Sequence, residues 1–202
     1  KDDQSFEMSQ RSVARRAKRI KISDSSDLKL GAVRDLAFCA LRENDWCNVV
    51  TAHEGETCAY TWRLGKQALG EFTLQPPLSE YIPFMPEGQV IETHSDAQEL
   101  MKRRLLSPVT SVAISSCGHY ALVGCRSGRI DRYNLQSGFH RGAFYRYDRV
   151  SGKISTAHDA EVSGIECDAY NKEVYSVGAD DKLRIWGFSA VQVTGRAKSA
   201  GR

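Results

Sequence analysis

An internal repeat constrains this chain more than any other feature. Residues Pro108–Leu135 lie over Glu161–Phe188 at an offset of 53 positions, without a gap. Val109 falls on Val162, Val112 on Ile165, Ile114 on Cys167, Ala121 on Val174, Ile130 on Leu183 and Tyr133 on Trp186. Repetition on this scale means one supersecondary unit used more than once, because a single unit cannot bury its own apolar face.

Each copy reads as three short antiparallel strands. In the first, Thr110, Val112 and Ile114 alternate with Ser111 and Ala113, the period of two that turns one face inward. Ser116-Cys117-Gly118 is a turn, Tyr120–Val123 an unbroken apolar strand, Gly124–Gly128 a second turn, and Arg129–Tyr133 the third strand. The second copy predicts strands over Val162–Cys167, Glu173–Val177 and Lys182–Trp186, with Gly178–Asp181 as its turn. Tyr133 and Trp186 close the third strands. There a large ring wedged between neighbouring sheets buries much area at small entropic cost.

A more degenerate copy precedes these, over Gly31–Phe72. Its predicted strands are Val33–Phe38, Trp46–Thr51, Thr57–Trp62 and Leu69–Phe72, with a turn at His53–Glu56 and helical character at Ala40–Asn44. Trp62 is its closing aromatic. Between the first and second copies, Pro76, Pro77, Pro83 and Pro86 exclude a central strand. Ser95–Gln98 then starts a short helix with Leu100, Met101 and Leu105 on one face. Asn134–Gly142 is a turn into the fourth strand of the middle copy, Arg146–Thr156 a polar connector, and Ala190–Thr194 a last fourth strand. The predicted organisation is a basic linker (1–30), a degenerate blade (31–74), an insertion with a short helix (75–106), a blade (107–145), and a blade with a C-terminal tail (146–202).

Composition narrows the function classes. No apolar run approaches the roughly 20 residues of a membrane helix, and the first residues lack the apolar region of a secretory signal. An intracellular protein without membrane contact is the expectation. Cys39, Cys47, Cys58, Cys117, Cys125 and Cys167 are scattered with no C-x-x-C pair, so free thiols are expected and metal ligation is not. The formal net charge is only +3, so nucleic-acid contact requires a local patch. One exists: Arg11, Arg15, Arg16, Lys18, Arg19 and Lys21 place six positive charges in eleven residues with no acid among them. It reads as a nuclear or nucleolar address or an RNA-contacting segment, and equally as a solvated linker.

Both copies resemble WD-repeat blades, which implies an all-β propeller. In such blades a His before the first strand, a Ser in the second, an Asp in the turn and a Trp in the third share a hydrogen-bond chain. The later copy offers His158, Ser176, Asp180 and Trp186 at these places. The middle copy has Val123, Ser127 and Tyr133 instead, with no matching His, and is expected to rely on packing. Three blades do not close a propeller, which takes about 4–8, so the chain is read as part of a larger protein.

The resemblance narrows further on ordered segments: Arg42–His53, Thr61-Trp62, Ser116–Tyr120 and Asn134–Gly142. Together they resemble the WD repeat-containing protein 36 family, the WD-repeat subunits of the UtpB subcomplex of the small-subunit processome. The likeness runs from about Arg42 to Phe188 and is weakest over Gln75–Leu106. It implies a tandem-propeller, non-catalytic scaffold in the nucleolus. The implied partners are other UtpB and processome proteins, and pre-ribosomal or small nucleolar RNA is a possible contact. The resemblance implies no cofactor and no small-molecule substrate. The alternative is a generic propeller adaptor, such as a ubiquitin-ligase substrate receptor or a chromatin reader. No enzyme constellation competes. His158, Ser176 and Asp180 have triad residue types but no G-x-S-x-G elbow, and Gly124 and Gly128 lack a following Lys-Ser/Thr.

Overall fold

The structure, a computed structural model, describes residues 8, 29–76, 107–148, 150–151 and 154–191. The six basic residues of 11–21, the predicted helix within 77–106 and the tail 192–202 lie outside the described residues. Three antiparallel sheets fan around a common axis. The first holds β1 (Val33–Phe38), β2 (Val49–His53), β3 (Ala59–Arg63) and β4 (Ala68–Leu74) in that order. The second holds β5 (Val109–Ile114), β6 (Tyr120–Cys125), β7 (Ile130–Asn134), β8 (His140–Tyr147) and β9 (Ile154–Thr156). The third holds β10 (Val162–Cys167), β11 (Glu173–Gly178) and β12 (Leu183–Gly187).

Three readings of the sequence need correction. The segment Arg146–Thr156 is not a plain connector. Strand β8 runs to Tyr147, and β9 returns beside it through the pairs Tyr145–Thr156, Arg146–Ser155 and Tyr147–Ile154. The second sheet therefore has five strands. In the first sheet β2 begins at Val49 and includes His53, which was assigned to the turn. Trp46 leaves the strand because its indole donates to the Gly118 carbonyl of the next sheet at 2.9 Å. Ala40–Arg42 forms a single 3-10 turn.

Packing between sheets explains why the repeat aligns apolar positions. One buried cluster joins Val50, Ala52, Ala59 and Leu74 of the first sheet to Val109, Val112, Val123 and Tyr133 of the second. Another joins Ala113, Leu122, Ile130 and Phe144 of the second to Val162, Ile165, Val174 and Phe188 of the third. Side chains of the second sheet alternate between the two clusters, so that sheet is buried on both faces. The outer sheets are not. Leu36 and Phe38 on β1, and Val177, Leu183 and Ile185 on β11 and β12, are exposed on the faces that neighbouring blades cover in a closed propeller.

Innermost strands β1, β5 and β10 run side by side. Asp35 accepts the Val112 N–H from across the first interface at 2.8 Å, and the Thr110 hydroxyl donates to the Val162 carbonyl across the second at 2.6 Å. Gly128 shows why the β6–β7 turn needs glycine. Its φ is +81°, and a Cβ there would sit 2.1 Å from the His158 carbonyl oxygen.

Candidate functional site

Polar groups buried within the three sheets are the chemically distinctive feature, and they differ from sheet to sheet. In the third, Trp186 can only donate, so its indole N–H gives to the Ser176 hydroxyl oxygen at 2.9 Å. Ser176 in turn gives its proton to Nε2 of His158 at 2.8 Å, and Nδ1 of His158 donates to Asp180 at 2.8 Å. Arg184 and the Asp159 N–H complete the carboxylate's partners. Burial raises the Asp180 carboxyl, yet His158, the Asp159 N–H and Arg184 outweigh it and hold the group well below the ordinary range. This arrangement joins the loop between β9 and β10, the middle of β11, the β11–β12 turn and β12. His158 and Ser176 are buried, and the serine oxygen accepts the indole N–H of Trp186.

The first sheet builds the same donor sequence from different residues, which the sequence reading missed. Trp62 donates to the Thr51 hydroxyl at 2.7 Å, Thr51 to Nε2 of His53 at 2.9 Å, and Nδ1 of His53 to the Gly31 carbonyl at 2.7 Å. Here the histidine comes from β2, two residues after the hydroxyl, and a backbone carbonyl replaces the carboxylate. The detectable signal was Thr51-x-His53 opposite Trp62.

The second sheet does not rely on packing alone, contrary to the sequence reading. Arg129 and Asp131, two residues apart and both pointing into the blade, form a bidentate ion pair at 2.7–2.9 Å with side-chain exposures of 3% and 1%. Nε2 of His140 lies 2.7 Å from the same carboxylate. Burial raises the Asp131 carboxyl, but Arg129 and His140 together bring it below its ordinary value. Burial also pushes the neighbouring Cys125 thiol up, beyond thiolate chemistry.

Three propeller sheets with this patterning can be set beside known proteins. Residues 1–200 match the family model described as the WDR36/Utp21 second beta-propeller domain. The chain belongs to this WDR36/Utp21 family. It is 30% identical over 174 residues to human WD repeat-containing protein 36, covering 86% of this chain and 16% of that protein. It is 31% identical over 188 residues to the Schizosaccharomyces pombe U3 small nucleolar RNA-associated protein 21 homolog, covering 93% and 17%. To U3 small nucleolar RNA-associated protein 21 of Saccharomyces cerevisiae it is 28% identical over 199 residues, covering 98% and 17%. The chain thus spans about one sixth of the length of these relatives. Among solved structures, U3-55K (TM-score 0.51) and the RRP9 WD40 repeats (TM-score 0.50) each share 21% identity, covering 79% of this chain and 36% of theirs. That likeness shows the propeller fold alone.

Beyond the blade interiors, this WDR36/Utp21 segment carries a groove of about 560 Å³ along its inner strands, lined by residues such as Asp35, Ser111, Glu161 and Glu166. At one end Arg34 and Arg126 alternate with Glu54 and Glu161, tying the first sheet to the second and third. These pairs are part-exposed and each contributes little in water. The closing aromatics are placed unequally. Trp62 and Tyr133 are buried, whereas Trp186 is half-buried and packs its ring 5.7 Å from Phe144 of the middle blade. All six cysteines are free thiols, four of them buried. No cluster of metal-ligating side chains occurs among the described residues. No helix among them is long and apolar enough to cross a membrane.

Proposed function

We propose that the protein containing this chain is a non-catalytic scaffold of the nucleolar small-subunit processome, supporting pre-ribosomal RNA processing and ribosome biogenesis. Family membership over residues 1–200 carries the reading, supported by two relatives whose names associate them with U3 small nucleolar RNA. It also favours this role over a generic propeller adaptor. In this role the propeller holds other UtpB and processome proteins, within the nucleus and nucleolus. The basic segment Arg11–Lys21 adds a contact to RNA phosphates or a nucleolar address.

The non-catalytic part of the proposal rests on burial. The Ser176–His158–Asp180 arrangement is enclosed within one blade, with each donor and acceptor spent on holding strands together. Depleting the full-length protein and following pre-ribosomal RNA tests the proposal. Unprocessed small-subunit precursors accumulate, and wild-type protein and Ser176→Ala protein, if it still folds, both restore processing. Normal processing in depleted cells contradicts the scaffold role. Failure of a stably folded Ser176→Ala protein to rescue contradicts the non-catalytic assignment.

A further inference from the structure

Strand β8 outruns its blade. Its last pair with β7 is Phe144 with Ile130, and Tyr145–Tyr147 pair instead with β9. The base of this β8–β9 hairpin is tied down, because Arg146 donates through Nε to the Thr156 carbonyl at 2.9 Å and pairs with Asp159. Its tip faces solvent. Tyr147 is 59% and Val150 97% exposed, and Ser151 is exposed beside them.

One carboxylate closes the tip. Asp148 accepts the Ser151 hydroxyl at 2.5 Å and the Val150 N–H at 3.0 Å. Those donors, Ser151 first, hold the Asp148 carboxyl below its ordinary range, so it is fully charged at neutral pH. Cations flank Ser151 in the sequence: Arg149 stands two residues before it, Lys153 two after and Arg146 five before. Basophilic protein kinases select serines by such cations, which pair with carboxylates of the kinase's substrate groove.

Charge alone does not single out a serine. Ser127 is exposed too, with Arg126 just before it and Arg129 two residues after. Its turn is held far more firmly. Gly128 packs against the His158 carbonyl, and the Arg129 guanidinium is committed to Asp131 inside the blade. Phosphoryl transfer needs the acceptor oxygen in line with the γ-phosphate inside the kinase cleft, so residues on both sides of the acceptor must leave their native contacts. Around Ser127 those contacts include a buried ion pair. Around Ser151 they are solvent-facing bonds at the end of a short edge strand, the kind of segment that opens at little cost.

We propose that Ser151 is an acceptor for a basophilic serine kinase, and that phosphate there opens the hairpin tip and parts Ile154 from Tyr147. The Ser151 oxygen takes the γ-phosphoryl group of ATP, the bond to the ADP oxygen breaks, and the hydroxyl proton passes to the kinase's base. Ser151 then has no proton for Asp148 and carries a charge of about −1.5 to −2 beside that carboxylate. Like charges at this spacing repel. Strand β9, at the edge of its sheet and only Ile154–Thr156 long, has little pairing with which to resist.

This modification site does not rest on the processome reading. The full-length protein is treated with ATP and the catalytic fragment of a protein kinase C, and is separately recovered from cells under phosphatase inhibition. Phosphate is mapped by mass spectrometry in both samples. It is expected on Ser151 and not on Ser127, at a level at least tenfold lower in Arg149→Gln/Lys153→Gln protein. If that pair lowers the melting temperature, Arg149→Gln alone gives the same readout. Hydrogen exchange over residues 147–154 is expected to quicken at least tenfold on phosphorylation, with β5 and β6 unchanged. An unmodified Ser151 in either sample, equal phosphate on Ser127 or Ser155, incorporation indifferent to the two cations, or exchange at the unphosphorylated rate overturns the proposal.

Discussion

Replacing Asp131 by Asn removes the charge that compensates Arg129 while keeping nearly the same volume. Arg129 and Asp131 are almost wholly enclosed, with residue exposures of 2% and 0%. The guanidinium makes a bidentate contact with the carboxylate, and His140 approaches that carboxylate too. Breaking such a buried pair by removing one partner costs roughly 3–5 kcal/mol, because a buried charge is left uncompensated. Every 1.4 kcal/mol or so is a factor of ten, so amides in β6, β7 and β8 that exchange by blade opening should exchange about two to nearly four orders of magnitude faster. Hydrogen exchange with mass spectrometry on the full-length protein reads this blade by blade. Replacing both Arg129 and Asp131 by apolar residues of similar size should recover much of the loss, since the pair as a whole repays its desolvation only partly. Exchange in Asp131→Asn protein within threefold of wild type would refute the idea that this ion pair holds the middle blade.

The same pair sets an acid limit. Asp131 titrates lower folded than unfolded, so its contribution is fully present above the unfolded value of 3.8 and is lost as pH falls through the folded one; Asp131→Asn protein should lack this component in acid titrations of blade stability. Ser176→Ala should cost about 1–3 kcal/mol, because it strands the Trp186 N–H and Nε2 of His158, and thermal melting checks it. Trp62→Ala should cost roughly 3–5 kcal/mol of thermal stability in the full-length protein, since its ring is buried between sheets; an unchanged melting temperature would show that burial between sheets is not what this tryptophan contributes. Replacing Arg15, Arg16, Lys18, Arg19 and Lys21 with Ser or Gln should lower RNA crosslinking or nucleolar accumulation while partner binding persists, and unchanged values of both would leave the run a solvated linker.

Strand positions were legible where alternation and turn residues agreed. Val33–Phe38 forms the strand read for it, the alternation from Thr110 to Ile114 lies within β5, and β10 spans Val162–Cys167 as read. Strand β2 was misplaced because Trp46 looks like a strand aromatic, yet its indole is spent on a neighbouring sheet. Strand β9 escaped because three residues, Ile154–Thr156, carry no periodicity of their own and exist through pairing with β8. The third blade's polar residues could be picked out because their types and spacing match a known pattern. Thr51 and His53 could not, since their histidine sits on the strand and its acceptor is a backbone carbonyl. Arg129 and Asp131 read as ordinary surface charges in a polar-flanked strand, and only the fold turns both inward.

The most direct test of the central claim is affinity purification of the full-length tagged protein from nuclear extract, with quantification of U3 small nucleolar RNA and of co-purifying proteins. The processome scaffold predicts strong enrichment of U3 RNA together with UtpB and other processome proteins, lost when the propeller carries Trp62→Ala and Trp186→Ala together. Recovery of ubiquitin-ligase or chromatin components with U3 RNA at background would contradict it.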